Sequence, residues 1–315
     1  MNKKIVLAVM VSVCNVMLFA RTKETNEQRL ESTYKDKNIT AIIKNASSSK
    51  QAIQRIKQSG QSNLQQLQKD TVVNVLILMA FKFNEPVADI AKQMKNAKLS
   101  YNEQAVNNYI EMGTKLINAA VDNKPAEIKQ LLKNGADVNF YGAVSGLPIG
   151  SARVVTPLLA AVVNNPGNVK LARILLDAKA NVNFQRDFDK KSILYLAVEK
   201  NDKATDYSAI VALLLKYNAD VNTQNAEGET PLDQAIRNNN IPDKIVQLLL
   251  EKGNANQKTK NKALINAVTQ NRIEVVRMLL KHGAQQGTKN AEGKTVAQLA
   301  EGKPEIQALL QNNKK

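Results

Sequence analysis

Asp187 and Asp189 flank Phe188 in a turn-like stretch, and a carboxylate pair of that kind is the residue set for general acid–base work. Turn chemistry explains the same pair more simply, because short carboxylates bond their own backbone. Asp137 and Asp220 recur at one position of a repeated turn and read as structural for that reason. His282 is the one histidine; it sits in Lys-His-Gly at a helix end, where a cationic side chain favours the last carbonyls. Cys14 is the one cysteine, so a disulfide framework, a thiolate zinc site and a CxxC redox pair are all excluded. No phosphate-cradling glycine loop, HExxH or GxSxG occurs, and no histidine is available to serve a serine nucleophile. The expectation is a protein with no catalytic residue, no metal site and no cofactor. It is not read as an enzyme.

The elements that carry these residues are helical. Apolar residues make up 43% of the chain but aromatics only 4%, so Leu, Ala, Val and Ile must fill any core. Paired leucines recur at 131–132, 175–176, 214–215, 249–250, 279–280 and 309–310. An alanine precedes each pair at a similar distance: Ala119, Ala161, Ala197, Ala235, Ala267 and Ala300. Turn-like runs follow most pairs, as in NGADVN at 134–139, AKANVN at 178–183, YNADVN at 217–222, KGNANQ at 252–257 and HGAQQG at 282–287. Helix openers precede most alanines, TPLLAAV at 156–162 and TPLDQAI at 230–236 being the clearest. Thr156 or Thr230 caps a first helix, and the proline after it loses no useful donor. Small alanines admit close neighbours, and the Leu pair forms the buried stripe of a second helix. Gly135, Gly253 and Gly283 are expected to end second helices with positive φ.

These units, T-P-L-x-x-A, a Leu pair and G-A-D-V-N at a spacing near ~33, resemble the ankyrin repeat family. The resemblance covers Thr114 to the C-terminus. It implies an all-α fold: an ankyrin-repeat solenoid of five to six helix-turn-helix units behind a helical N-terminal region. The domain plan is a signal peptide at 1–20, a helical region at 21–113 and the repeat domain at 114–315. The fourth opener position is never His, being Ile117, Leu159, Tyr195, Asp233, Ile265 and Gln298, which removes a family hydrogen bond and implies a less regular array. The unit at 192–222 carries extra residues in its inter-helix turn, NDKATDYSA. Between Asn139 and Thr156 lies an inserted loop, FYGAVSGLPIGSARVV, which reads either as a tolerated surface insertion or as a contact loop. The shortened last unit ends in a polar cap, Asn312 to Lys315.

Lys3 and Lys4 followed by the apolar run Ile5 to Phe19 form a secretory signal pattern, with Ala20 as the last residue removed. As a helix that run spans roughly 22 Å, short of a bilayer core. An uncleaved anchor and lipidation at Cys14 are the alternatives. Cleavage predicts an extracytoplasmic protein, periplasmic or secreted, with no stable membrane span. Within 21–113, Ser100-x-x-Glu103 reads as a capping box ahead of a helix over 101–112, and Asn84-Glu85-Pro86 opens another. The run at 71–83 reads as a buried helix. This region is either a cap on the array or a set of degenerate units.

The family resemblance implies a scaffold that binds a protein partner along the concave face and turn tips. Counting from each opener, Asn118, Asp122, Glu199, Gln234, Arg237, Asn238, Asn266 and Gln270 are expected to face the groove. The tips add Phe140, Tyr141, Phe184, Arg186, Phe188, Thr223 and Gln224. Aromatics and Arg commonly anchor interfaces, so a partner is expected on the N-terminal half of the groove around 140–155; Phe140 and Phe184 packed against neighbouring turns is the competing reading. The net charge of +16 is spread along the chain, with a modest cluster at Lys258, Lys260 and Lys262. That distribution does not suit nucleic acid and biases the protein toward an acidic partner. A secreted or surface-displayed factor that binds another organism's proteins is the alternative function.

Overall fold

A computed structural model describes residues 42–43, 45–58, 76, 79, 87–99, 102–142, 155–165, 167–186, 189–200 and 206–313. The signal-like segment, most of the run at 71–83, Ser100, the interior of the 140–155 loop, Asp187, Phe188 and residues 201–205 lie outside them. The chain divides into two compact units: Met1–Pro157 with Asp177–Asn181, and Leu158–Leu176 with Val182–Lys315.

In the first unit, α1 (Ser49–Gln58) turns Ala52, Ile53 and Ile56 inward and packs on α2 (Val87–Asn96), which buries Ile90 and Met94. Ser49 Oγ donates to Gln93 Oε1 across that contact at 2.9 Å. The next helix, α3 (Glu103–Val121), starts differently from the expectation. Asn102 is its N-cap, accepting from the Ala105 N–H at 2.9 Å, and the helix runs unbroken through Gly113 and Thr114. The expected break between 112 and a Thr114 opener is therefore absent; Leu116, Ile117, Ala119 and Ala120 continue one buried stripe. Proline at N1 opens α4 (Pro125–Lys133), which folds back on α3.

Gly113 exists for Phe140. A Cβ at position 113 would lie 2.1 Å from the Phe140 ring, so only glycine lets that ring reach the helix backbone. Tyr109 meets the same ring edge-on, with centroids 5.4 Å apart. The Tyr109 hydroxyl donates to Asp137 Oδ2 at 2.8 Å, and Asp137 Oδ1 accepts the Asn139 N–H at 2.9 Å. Burial pushes the Asp137 carboxyl above the usual carboxylate range, and burial with the neighbouring Asp137 pushes the Tyr109 phenol well up.

From α5 (Pro157–Asn164) and α6 (Val169–Asp177) onward, helices come in pairs. They are α7 (Ile193–Glu199) with α8 (Ser208–Lys216), α9 (Pro231–Arg237) with α10 (Asp243–Lys252), α11 (Gln257–Thr269) with α12 (Ile273–Lys281), and α13 (Val296–Leu299) with α14 (Pro304–Asn312). Within the second unit α7, α9, α11 and α13 form one row, each packed on the next; α8, α10, α12 and α14 form another. Ala197, Ala235, Ala267 and Ala300 are fully buried in the first row, as small residues at close helix contacts must be. The paired leucines at 175–176, 214–215, 249–250 and 279–280 are buried in the second row. Among the described residues there is no strand, only isolated bridges such as Gln185 with Ser192 and Lys289 with Thr295.

The second-helix ends follow one rule with a shifted register. Gly135 and Gly283 adopt positive φ, as do Lys179, Asn218 and Asn254 at the equivalent positions. Gly253 does not; it has φ −95° and caps α10, while Asn254 makes the left-handed turn. Asparagine tolerates that conformation through its short polar side chain. In the fourth opener position, hydrogen bonds are rebuilt without histidine. Asp233 closes a capping box with Thr230 and Gln298 closes one with Thr295.

A candidate protein-binding face

Four of the tip residues expected at a surface are buried. Phe140 is 1% exposed, Tyr141 4%, Phe184 7% and Arg186 7%. Phe140 fills the space above Gly113; Phe184 accepts the Ile193 N–H on its carbonyl where the tip closes onto α7. Arg186 is ion-paired with Asp189, whose Oδ1 also accepts the Lys191 N–H at 3.1 Å. The four are thus buried in place of the exposed tip positions expected, with the Phe140 ring packed on helix α3. Asp189 is thereby committed to turn chemistry; Phe188 and Asp187 lie outside the described residues. The 140–155 loop is closed at its stem, where Gly142 and Val155 exchange backbone hydrogen bonds at 3.2 and 2.9 Å.

The first-helix row of the second unit brings the other predicted residues together. At one end Lys191, the last tip residue before the Ser192 cap, pairs with Glu199 at 2.5 Å and stands 5.3 Å over the Tyr195 ring. The Tyr195 hydroxyl lies 3.1 Å from both Glu229 Oε2 and Gln234 Oε1, which ties α7 to α9. Burial and the Glu229 carboxylate push this phenol far above the usual tyrosine range, so it stays neutral and donates. Arg237 reaches Glu229 at 2.7 Å and donates to Gln234 Oε1 at 3.1 Å. One helix further, Asp233 accepts from Asn266 at 2.8 Å and pairs with Lys262 at 3.2 Å. Lys262 also donates to the Gly228 carbonyl at 2.8 Å. Two polar clusters therefore tie α9 to its neighbours, one to α7 with Arg237 exposed and Gln234 buried, the other to α11 with Asp233 buried.

Glu199, Gln234 and Arg237 thus meet around Tyr195, while Asn266 joins Asp233 in the neighbouring cluster. Asn238 instead accepts the Asn240 N–H at the end of α9, and Gln270 is exposed at the end of α11. Thr223 is half-buried; Gln224 is exposed, with its carbonyl accepting from Gln185 at 3.1 Å. In the first unit Asn118 is exposed and Asp122 pairs with Lys124 at 3.0 Å. Sequence reasoning missed Tyr195, Glu229, Asp233, Lys191 and Lys262. Two of these, Lys191 and Glu229, directly precede an opener, and that shared position was the available signal.

The clusters offer hydrogen-bond donors and acceptors and no nucleophile with its base. Among the described residues no group of three His, Cys, Asp or Glu could hold a metal ion, and no helix is long and apolar enough to cross a membrane.

Comparison with known proteins places this architecture. The family model for ankyrin repeats (3 copies) matches residues 116–225, 158–260, 203–290 and 242–314. The chain belongs to the ankyrin repeat family. It is 30% identical over 138 residues to the ankyrin repeat protein FPV024 of Fowlpox virus (strain NVSL), covering 44% of this chain and 20% of that one. With FPV031 of the same virus it shares 29% over 161 residues, covering 49% and 43%. The chain thus spans less than half the length of these relatives. Among solved structures, an ankyrin repeat domain from Acinetobacter baumannii AYE is similar, with a TM-score of 0.51 and 24% identity, covering 63% of this chain and 96% of that one. That likeness shows the fold. Ankyrin repeats generally mediate protein–protein interaction, and the family is typically a non-enzymatic interaction fold.

Proposed function

We propose that this protein is a binding scaffold exported from the cytoplasm, which captures a protein partner on the first-helix row and turn tips of its second unit. One observation carries the reading. Polar clusters tie α9 to α7 on one side and to α11 on the other, and Arg237 stands at the surface of the first with its guanidinium already oriented by Glu229 and Gln234. A pre-positioned arginine loses little rotamer freedom on binding, which favours it as an interface anchor. Export rests on the signal pattern at 1–20.

Photo-crosslinking in the native host tests the face. A photoreactive residue replacing Arg237 or Asn266 should yield a discrete protein adduct, and one replacing Arg277 on α12 should not. Adducts from position 277 alone would put the partner elsewhere. N-terminal sequencing of the mature protein should begin at Arg21; a chain still starting at Met1 and retained in the cytoplasm would remove the export part of the reading.

A further inference from the structure

The outward side of the second-helix row carries a feature that the binding face does not explain. In α6, α10 and α12 the positions two and five residues before the Leu pair hold exposed polar or charged side chains: Arg173 and Lys170, Gln247 and Lys244, Arg277 and Glu274. In α8 the same two positions are Ala212 and Ala209. Short side chains there leave a notch of about 570 Å³ lined by Val169, Ala209, Ala212 and Leu213, with Arg173, Lys216 and Lys252 around it. Its lining contains three cations and no carboxylate, and among the described residues none of the three is ion-paired. The groove between α12 and α14 is the useful contrast. At about 650 Å³ it is similar in size, but its arginines are already neutralised, Arg272 by Asp243 and Arg277 by Glu274.

We propose that the notch over α8 is a second docking surface, for an acidic segment of a protein partner. One bulky apolar side chain of that segment seats over Ala209 and Ala212, and flanking carboxylates meet Arg173, Lys216 and Lys252. The charge of the rim selects for anionic groups. The shape selects a protein segment over a bilayer. Membrane contact uses apolar side chains that protrude, whereas here Leu213 and Leu215 are recessed at 4% and 5% exposure. This surface lies on the second-helix row and does not depend on the Arg237 cluster.

The test uses the full chain and two fluorescent amphipathic helical peptides with the same leucine stripe, one flanked by glutamates and one by lysines. A vesicle of phosphatidylglycerol and phosphatidylcholine is the third probe. The glutamate peptide should bind saturably and the lysine peptide should not. Ala212→Gln, which copies the residue already tolerated at position 247, should fill the notch and weaken binding at least about tenfold at unchanged melting temperature. Lys216→Glu should do the same, and Arg277→Glu, on α12 outside the notch, should leave peptide binding unchanged. Absence of saturable binding by the glutamate peptide overturns the proposal. So does equal affinity for Ala212→Gln, or vesicle binding that displaces the peptide and is itself abolished by Ala212→Gln.

Discussion

Gly113 and Phe140 form a lock in which a missing side chain in a helix makes room for an aromatic ring from a turn. Gly113→Ala should therefore destabilise the first unit by about 1–3 kcal/mol, the usual cost of overpacking. Denaturant unfolding of the full chain, followed by the fluorescence of tyrosines such as Tyr109, reads this out. Adding Phe140→Leu to Gly113→Ala should recover part of the loss. A Gly113→Ala midpoint equal to that of the parent would mean the ring moves aside at no cost. The sequence marked Phe140 as a tip aromatic but could not give its direction, because the glycine that admits it lies in a different helix. The left-handed turn after α10 shows the same limit on a smaller scale. Gly253 is adjacent to the correct position, and only the backbone reveals that Asn254 occupies it.

Between elements, the second helices of the second unit reach backward. The N-cap residues of α8, α12 and α14 are Tyr207, Arg272 and Lys303. Tyr207 donates to the Val163 carbonyl at the end of α5, at 3.4 Å. Arg272 donates to the carbonyls of Ala235 and Ile236 near the end of α9, at 2.6 and 2.9 Å, and pairs with Asp243. Lys303 donates to the Val268 carbonyl near the end of α11 at 2.8 Å. Each donor reaches carbonyls near a helix end, and Arg272 and Lys303 also place positive charge where the helix dipole favours it. In α10 the N-cap is Pro242, whose side chain has no donor, so that junction lacks the staple. Arg272→Met should cost the second unit about 2–3 kcal/mol, since it strands buried carbonyls while keeping the apolar stem. Arg272→Lys should recover only part, because an ammonium cannot span the same set of acceptors. Thermal unfolding of both variants decides it; an Arg272→Met protein as stable as its parent would mean water replaces the guanidinium without loss. Helix positions were readable from the openers and Leu pairs. The staples were not, because they join a cap to a helix end in the preceding repeat and leave no local pattern.

At the scale of the repeat array, the turn asparagines divide the work with the aspartates. Asp137 and Asp220 accept N–H groups from their own turns, from Asn139 and Asn222 respectively, as the sequence implied. The asparagines reach the next turn instead. In the first unit Asn139 accepts the Asn181 N–H at 2.7 Å; in the second, Asn183 accepts that of Asp220 at 2.8 Å. Asn222 accepts the Asn256 N–H at 2.8 Å and the Thr259 hydroxyl at 2.9 Å. Repeat arrays derive their cooperativity from such nearest-neighbour junctions. Asn222→Ala removes the acceptor for two groups at once, at the junction where the turn runs straight into α11 without a separate tip. The helices beyond that junction, α11 to α14, should then open independently of α7 to α10. Native-state hydrogen exchange should show amides of α11 and α12 exchanging roughly 5–30-fold faster than in the parent, for a loss of about 1–2 kcal/mol, with α7 and α9 little changed. Uniform acceleration across all the helices would mean that the second unit opens as one body. In that case leucine packing, and not the asparagine ladder, would set the coupling between its repeats.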